Sequence, residues 1–135
     1  MASSLINEMQ SCQGLLEFVD SKLEAMPSSY DKNDVKTVRK GLKSYNQYIQ
    51  REIVAPGLLA FNGGDKTKAN LMQKQVDTYK KTIVKQLNDR YPQNRLFTEQ
   101  AVSINNCAKK AVPSGEELEA LKKALTTMIE LSKVG

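Results

Sequence analysis

Between positions 5 and 26 the apolar side chains fall at Leu5, Met9, Cys12, Leu16, Val19, Leu23 and Met26, alternating steps of four and three. That rhythm lays them along one stripe of an α-helix. Such a stripe stays dry only against other helices that cross it at shallow angles. The same rhythm recurs down the chain, whereas the period-two alternation of a half-buried strand appears nowhere. The pattern predicts an all-α fold.

Breakers divide the pattern. Pro27 cannot continue the first helix, and the stretch "PSSYDKND" offers several caps. Asp31 is placed to cap a second helix with Val35, Val38, Leu42, Tyr45 and Ile49 buried; Pro56 interrupts it and "NGGD" (62–65) closes it. A third helix, capped near Asp65, buries Met72, Val76, Tyr79, Ile83 and Leu87, and stops at "YPQN" (91–94). A fourth uses Phe97, Ala101, Ile104, Cys107 or Ala108, and Ala111. Before the fifth, Ser114 and Glu117 stand at capping-box spacing, and Leu118, Leu121, Leu125 and Met128 form its apolar face. The helices fall near 4–26, 32–55, 66–90, 95–112 and 115–133, in one domain spanning 1–135. Short connections favour antiparallel neighbours, so the chain reads as an up-down antiparallel bundle of four helices with a fifth, C-terminal helix folding back over it or extending it.

This layout gives the two cysteines a geometric meaning. Cys12 lies about two turns into the first helix and Cys107 about a turn and a half before the end of the fourth. In an up-down bundle those heights match on adjacent helices, so a Cys12–Cys107 disulfide is expected, in place of two separate buried thiols. A bridge of this kind forms and persists in oxidising compartments.

Histidine does not occur in the chain. Catalytic triads that use it, His-ligated haem, ordinary catalytic zinc and the Glu-x-x-His di-iron site all lack an essential group. No phosphate-binding glycine loop and no Cys-x-x-Cys pair is present. We therefore expect no enzyme, no catalytic residue, no cofactor and no metal site. Met9, Met26, Met72 and Met128 sit on core stripes and read as adaptable packing. No apolar run approaches the ~20 residues of a membrane-spanning helix. The opening "MASSLINEM" shows neither the basic nor the apolar region of a secretory signal, so a removed signal and a cytoplasmic origin both stand open.

Two segments carry the functional possibilities. "IVAPGLLAF" (53–61) places a proline in an apolar run and could present Leu58, Leu59 and Phe61 to a protein partner. Lys36, Arg39, Lys40 and Lys43 line one side of the second helix, Lys80, Lys81 and Lys85 recur on the third, and Tyr45 and Tyr48 interleave. With a net charge of +5, that face invites contact with nucleic acid, the lysines on phosphates and the tyrosines on bases. Glu17, Asp20 and Glu24 form an acidic stripe on the first helix that could instead neutralise it. The reading that follows is a non-enzymatic interaction protein, periplasmic or secreted. The alternatives are a cytoplasmic nucleic-acid-associated protein and a carrier of an apolar small molecule inside the bundle.

Overall fold

The computed structural model describes residues 2–25 and 29–134. Among them are α1 (Ala2–Glu24), α2 (Lys32–Ile49), a π-helical turn (Gln50–Val54), α3 (Ala55–Phe61), α4 (Lys66–Arg90), α5 (Thr98–Lys110) and α6 (Gly115–Ser132), with no strand. The fold is all-α, as the apolar spacing requires. Met26 and Pro27, assigned above to the end of the first helix, lie outside the described residues.

Cross-helix pairs fix the directions. Asp20 meets Arg39 and Gln13 meets Gln50, so α2 runs against α1. Glu8 meets Lys110 and Cys12 meets Cys107, so α5 also runs against α1. Gly41 abuts Ala120 and Ala124 while Arg51 reaches Glu117, which makes α6 antiparallel to α2. The helices α1, α2, α6 and α5 thus close a four-membered ring in which every neighbour is antiparallel.

The fifth C-terminal helix, α6, is a full member of that ring. The peripheral rod is α4, which packs on α1 and α3 and runs parallel to α1, with Gly14 against Ile83 and, further along both, Phe18 against Tyr91 at the end of α4. Its exposure explains why Ala69, Val76 and Lys80 are its buried positions, and why Tyr79, expected on its core face, stands 48% exposed. The central position of α1 has the opposite effect. It touches α2, α3, α4 and α5, so Gln10, Gln13, Phe18 and Lys22 are buried beside the predicted Met9, Cys12, Leu16, Val19 and Leu23. Leu5 points outward, and Ile6 takes the buried place in the first turns.

Local chemistry sets the helix ends. Asp31 Oδ1 accepts the backbone N–H groups of Asn33 and Asp34, and Asp65 Oδ1 accepts that of Lys68. Phe97 N–H donates to Gln100 Oε1 at the start of α5. The Ser114–Glu117 box does not form. The chain enters α6 through Gly115 at φ +60°, and the Ser114 side chain makes no capping bond. At the far end of the bundle, Leu96 N–H donates to the Tyr30 hydroxyl and tethers the α4–α5 connection to that between α1 and α2.

Helix continues across Pro56, where the sequence predicts a stop. The proline's ring would clash with the carbonyl four residues earlier, and it has no N–H to offer that carbonyl. The chain widens into a π turn immediately before it, Ala55 N–H donating five residues back to Gln50 O, and helix then continues through the proline to Phe61. The buried residues record the inserted position: Val38, Leu42, Tyr45 and Ile49 follow steps of three and four, the next step to Val54 is five, and Leu58 follows after four.

Candidate functional site

The π turn decides where α3 lands. After it, α3 crosses the start of α1, where a Cβ on Gly57 would sit 2.6 Å from Ile6 Cδ1. Only glycine permits this approach without moving Ile6. Asn62 then donates to Leu58 O at 2.8 Å and to Met72 Sδ at 3.0 Å, closing the end of α3 against α4.

Between α1, α3 and α4 this arrangement leaves an open cleft of about 420 Å³. Ile6, Leu58, Phe61, Met72, Val76 and Tyr79 supply its apolar walls, and Asn7, Gln10 and Gln75 supply amides. None of these nine side chains carries a charge, in a chain that is 26% charged. Phe61 is 60% exposed, so two aromatic rings, its own and that of Tyr79, border the opening. A cleft of this size, mostly apolar with a few amides, has the composition of a binding site for an uncharged or apolar group.

The three partner contacts predicted from sequence separate here. Phe61 is exposed at the cleft, Leu58 is buried at 3% exposure as part of its floor, and Leu59 is half-buried against the core and does not line the cleft. Sequence reasoning missed Ile6, Asn7, Gln10 and Gln75 as lining residues, and assigned Met72, Val76 and Tyr79 to the core and not to a cleft. The five-residue step from Ile49 to Val54 was the available sign that the second helix carries its buried face past the proline.

The basic face is present but differs in composition from its prediction. Lys36, Lys40 and Lys43 are exposed and, with Lys32, Val35 and Arg39, line a shallow groove on α2. Arg39 is engaged: its guanidinium donates to both oxygens of Asp20 at 2.9 and 3.3 Å and approaches Glu24 at 4.0 Å. The hydrogen bond to Asp20 holds it even more firmly protonated than an isolated arginine. Glu17, the third acid of the stripe, turns instead to Lys80 on α4 at 3.9 Å. Lys80 is buried, pairing with Asp77 as well at 3.3 Å, so it is no part of an exposed basic surface. The tyrosines are committed elsewhere. Tyr45 is fully buried and donates to Ala111 O at 2.7 Å, and Tyr48 stacks on it and donates to Val112 O at 3.0 Å.

Cys12 and Cys107 form a disulfide, with Cα atoms 6.1 Å apart across a sequence separation of 95. The antiparallel placement of α1 and α5 that sets the sulfurs at one height also sets Glu8 beside Lys110 at 2.8 Å. No helix among the described residues is long and apolar enough to cross a membrane. In comparisons with known proteins, the chain matches no family model, no curated protein and no solved structure.

Proposed function

We propose that this chain is a non-enzymatic binding module of an oxidising compartment, in the cell envelope or outside the cell, which holds an apolar side chain of a protein partner in the cleft between α1, α3 and α4. The observation that carries the reading is the uncharged lining of that cleft with Phe61 and Tyr79 standing open at its edge. Exposed aromatic groups in a depression rimmed by polar side chains are what partner anchors bury against. The disulfide supports the compartment. The absence of histidine from the sequence supports a role in binding over catalysis.

The test uses a neutral probe and a crosslinker. Titration with N-acetylphenylalanine amide should shift the backbone amides of residues 6–10, 61 and 72–79 saturably, and Phe61→Asp should abolish the shifts without lowering thermal stability, because Phe61 is exposed. A photo-crosslinking side chain at position 61 should trap one protein in the native compartment, while the same group at exposed Val102 should not. Equal trapping from both positions, or probe binding that survives Phe61→Asp, would defeat the assignment.

A second reading rests on the row Lys32, Lys36, Lys40 and Lys43 along α2. It makes the protein a cytoplasmic phosphate-backbone binder, and it predicts nucleic-acid affinity that falls steeply with salt and disappears when Lys36, Lys40 and Lys43 are reversed to glutamate. The carrier reading keeps its ligand class but moves its site, since the apolar cleft lies beside the four-helix ring and not inside it.

A further inference from the structure

The neighbouring face of α4 borders a second depression, of about 390 Å³, between that helix, α1 and the junction of α2 with the π turn. All of its lining side chains are polar, and no aromatic ring is among them. Across it runs a line of amides. Gln13 Nε2 donates to Gln50 Oε1 at 3.1 Å, Gln50 Nε2 to Gln73 Oε1 at 2.8 Å, and Gln73 Nε2 to Asp77 Oδ1 at 3.0 Å. Asp77 in turn faces Lys80.

The polarity of this line is fixed at one end. An aspartate paired with a lysine can only accept, so Gln73 must present its nitrogen to Asp77 and its oxygen to Gln50. The same choice passes along to Gln13, whose nitrogen faces Gln50. Gln13 is 1% exposed, and its Oε1 is left without a hydrogen-bond partner. Flipping its amide would set two oxygens face to face and does not relieve it. A buried acceptor in this state destabilises the fold unless something in the groove donates to it.

We propose that this groove is a binding site for a small polyhydroxylated ligand of the saccharide or cyclitol type. After the relay bonds are made, Gln50 and Gln73 each keep one N–H and one lone pair, and Gln13 keeps one N–H and both lone pairs. A hydroxyl is the neutral group that both gives and takes, so adjacent hydroxyls match this alternation, with one of them donating to Gln13 Oε1. Lys80 does not turn the site toward anions, because Asp77 and Glu17 offset its charge. Lys43 lies at the rim and makes no ion pair among the described residues, and it donates to ligand oxygens from there.

The experiment is a titration of the isotope-labelled full chain with D-glucose, sucrose and myo-inositol, with glutamate and acetate as separate arms. The side-chain amides of Gln13, Gln50 and Gln73 should shift saturably with at least one polyol and with neither anion. Gln13→Met should raise the thermal midpoint, since it removes an unpaired buried acceptor, and should weaken polyol binding by about tenfold, the equivalent of one lost hydrogen bond. Gln73→Met, at a half-buried position, should weaken binding as well and provides a second variant should the first fold poorly. Phe61→Asp should leave polyol binding unchanged, which separates this site from the apolar cleft. No saturable shift with any polyol, binding of an anion alone, or a lowered midpoint in Gln13→Met with polyol affinity unchanged would each overturn the proposal.

Discussion

Tyr45 shows how much one side chain on α2 holds together. Its ring is fully buried against the core, and its hydroxyl reaches across to the α5–α6 connection at Ala111 O. Tyr45→Phe removes the donor, leaves that carbonyl without it, and should cost about 1–2 kcal/mol in urea denaturation at neutral pH. Burial, reinforced by the neighbouring Tyr48, raises the phenol well above its ordinary range. The unfolded chain therefore loses this proton first. The contribution is fully present below about pH 10, the unfolded value, and is lost as pH rises beyond it. The stability of the native protein should fall above about pH 10 more steeply than that of Tyr45→Phe, and denaturation at stepped alkaline pH reads the difference. The burial of Tyr45 was legible from the spacing Val38, Leu42, Tyr45, Ile49. Its partner was not, because nothing in a sequence links position 45 to the carbonyl of position 111.

Among the elements, the pairing of α2 with α6 is the most extensive. A Cβ added at Gly41 would lie 2.5 Å from Ala120 O and 2.5 Å from Ala124 Cβ, and one of these is backbone that cannot turn aside. Gly41→Ala should accordingly lower stability by about 1–3 kcal/mol, even though alanine in an isolated helix would gain up to about 1 kcal/mol over glycine. A stabilised Gly41→Ala protein in thermal denaturation would mean that α2 and α6 stand further apart than this geometry requires. The same contact explains why α6 belongs to the ring: small residues at 41, 120 and 124 allow a close approach, and a sequence met alone shows only three small residues. The apolar stripes identified every helix except α3, which lies beyond the stop expected at Pro56. They did not identify which helix would be left outside, because α4 carries as regular a stripe as the others and its half-exposed face becomes the wall of the cleft.

Over the whole molecule, the Cys12–Cys107 bridge joins α1 to α5 and closes most of the chain into one loop. In the chain-entropy account a loop of this length stabilises by about 4–5 kcal/mol, a large share of the margin of a small domain. Cys12→Ala with Cys107→Ala, or reduction of the native protein, should lower the unfolding free energy by that order, measured by urea denaturation with and without reductant. Unchanged stability on reduction would show that the packed ring alone holds α5 in place. The mass of the native protein should be lower by two hydrogens than that of the reduced chain.

Apolar periodicity and helix breakers determined from sequence alone that the chain forms antiparallel helices, and the two cysteine heights led to the expectation that the first and fourth predicted helices, α1 and α5 of the structure, meet at a disulfide. These are local or nearly local properties: a stripe must be buried, and a proline cannot donate. The identity of the peripheral helix, the burial of Leu58 against the exposure of Phe61, the diversion of Arg39 and Lys80 into ion pairs, and both grooves were decided by tertiary structure. Each depends on how far helices rotate about their axes and how closely they approach, and one inserted residue before Pro56 changes both for everything that follows it in α3.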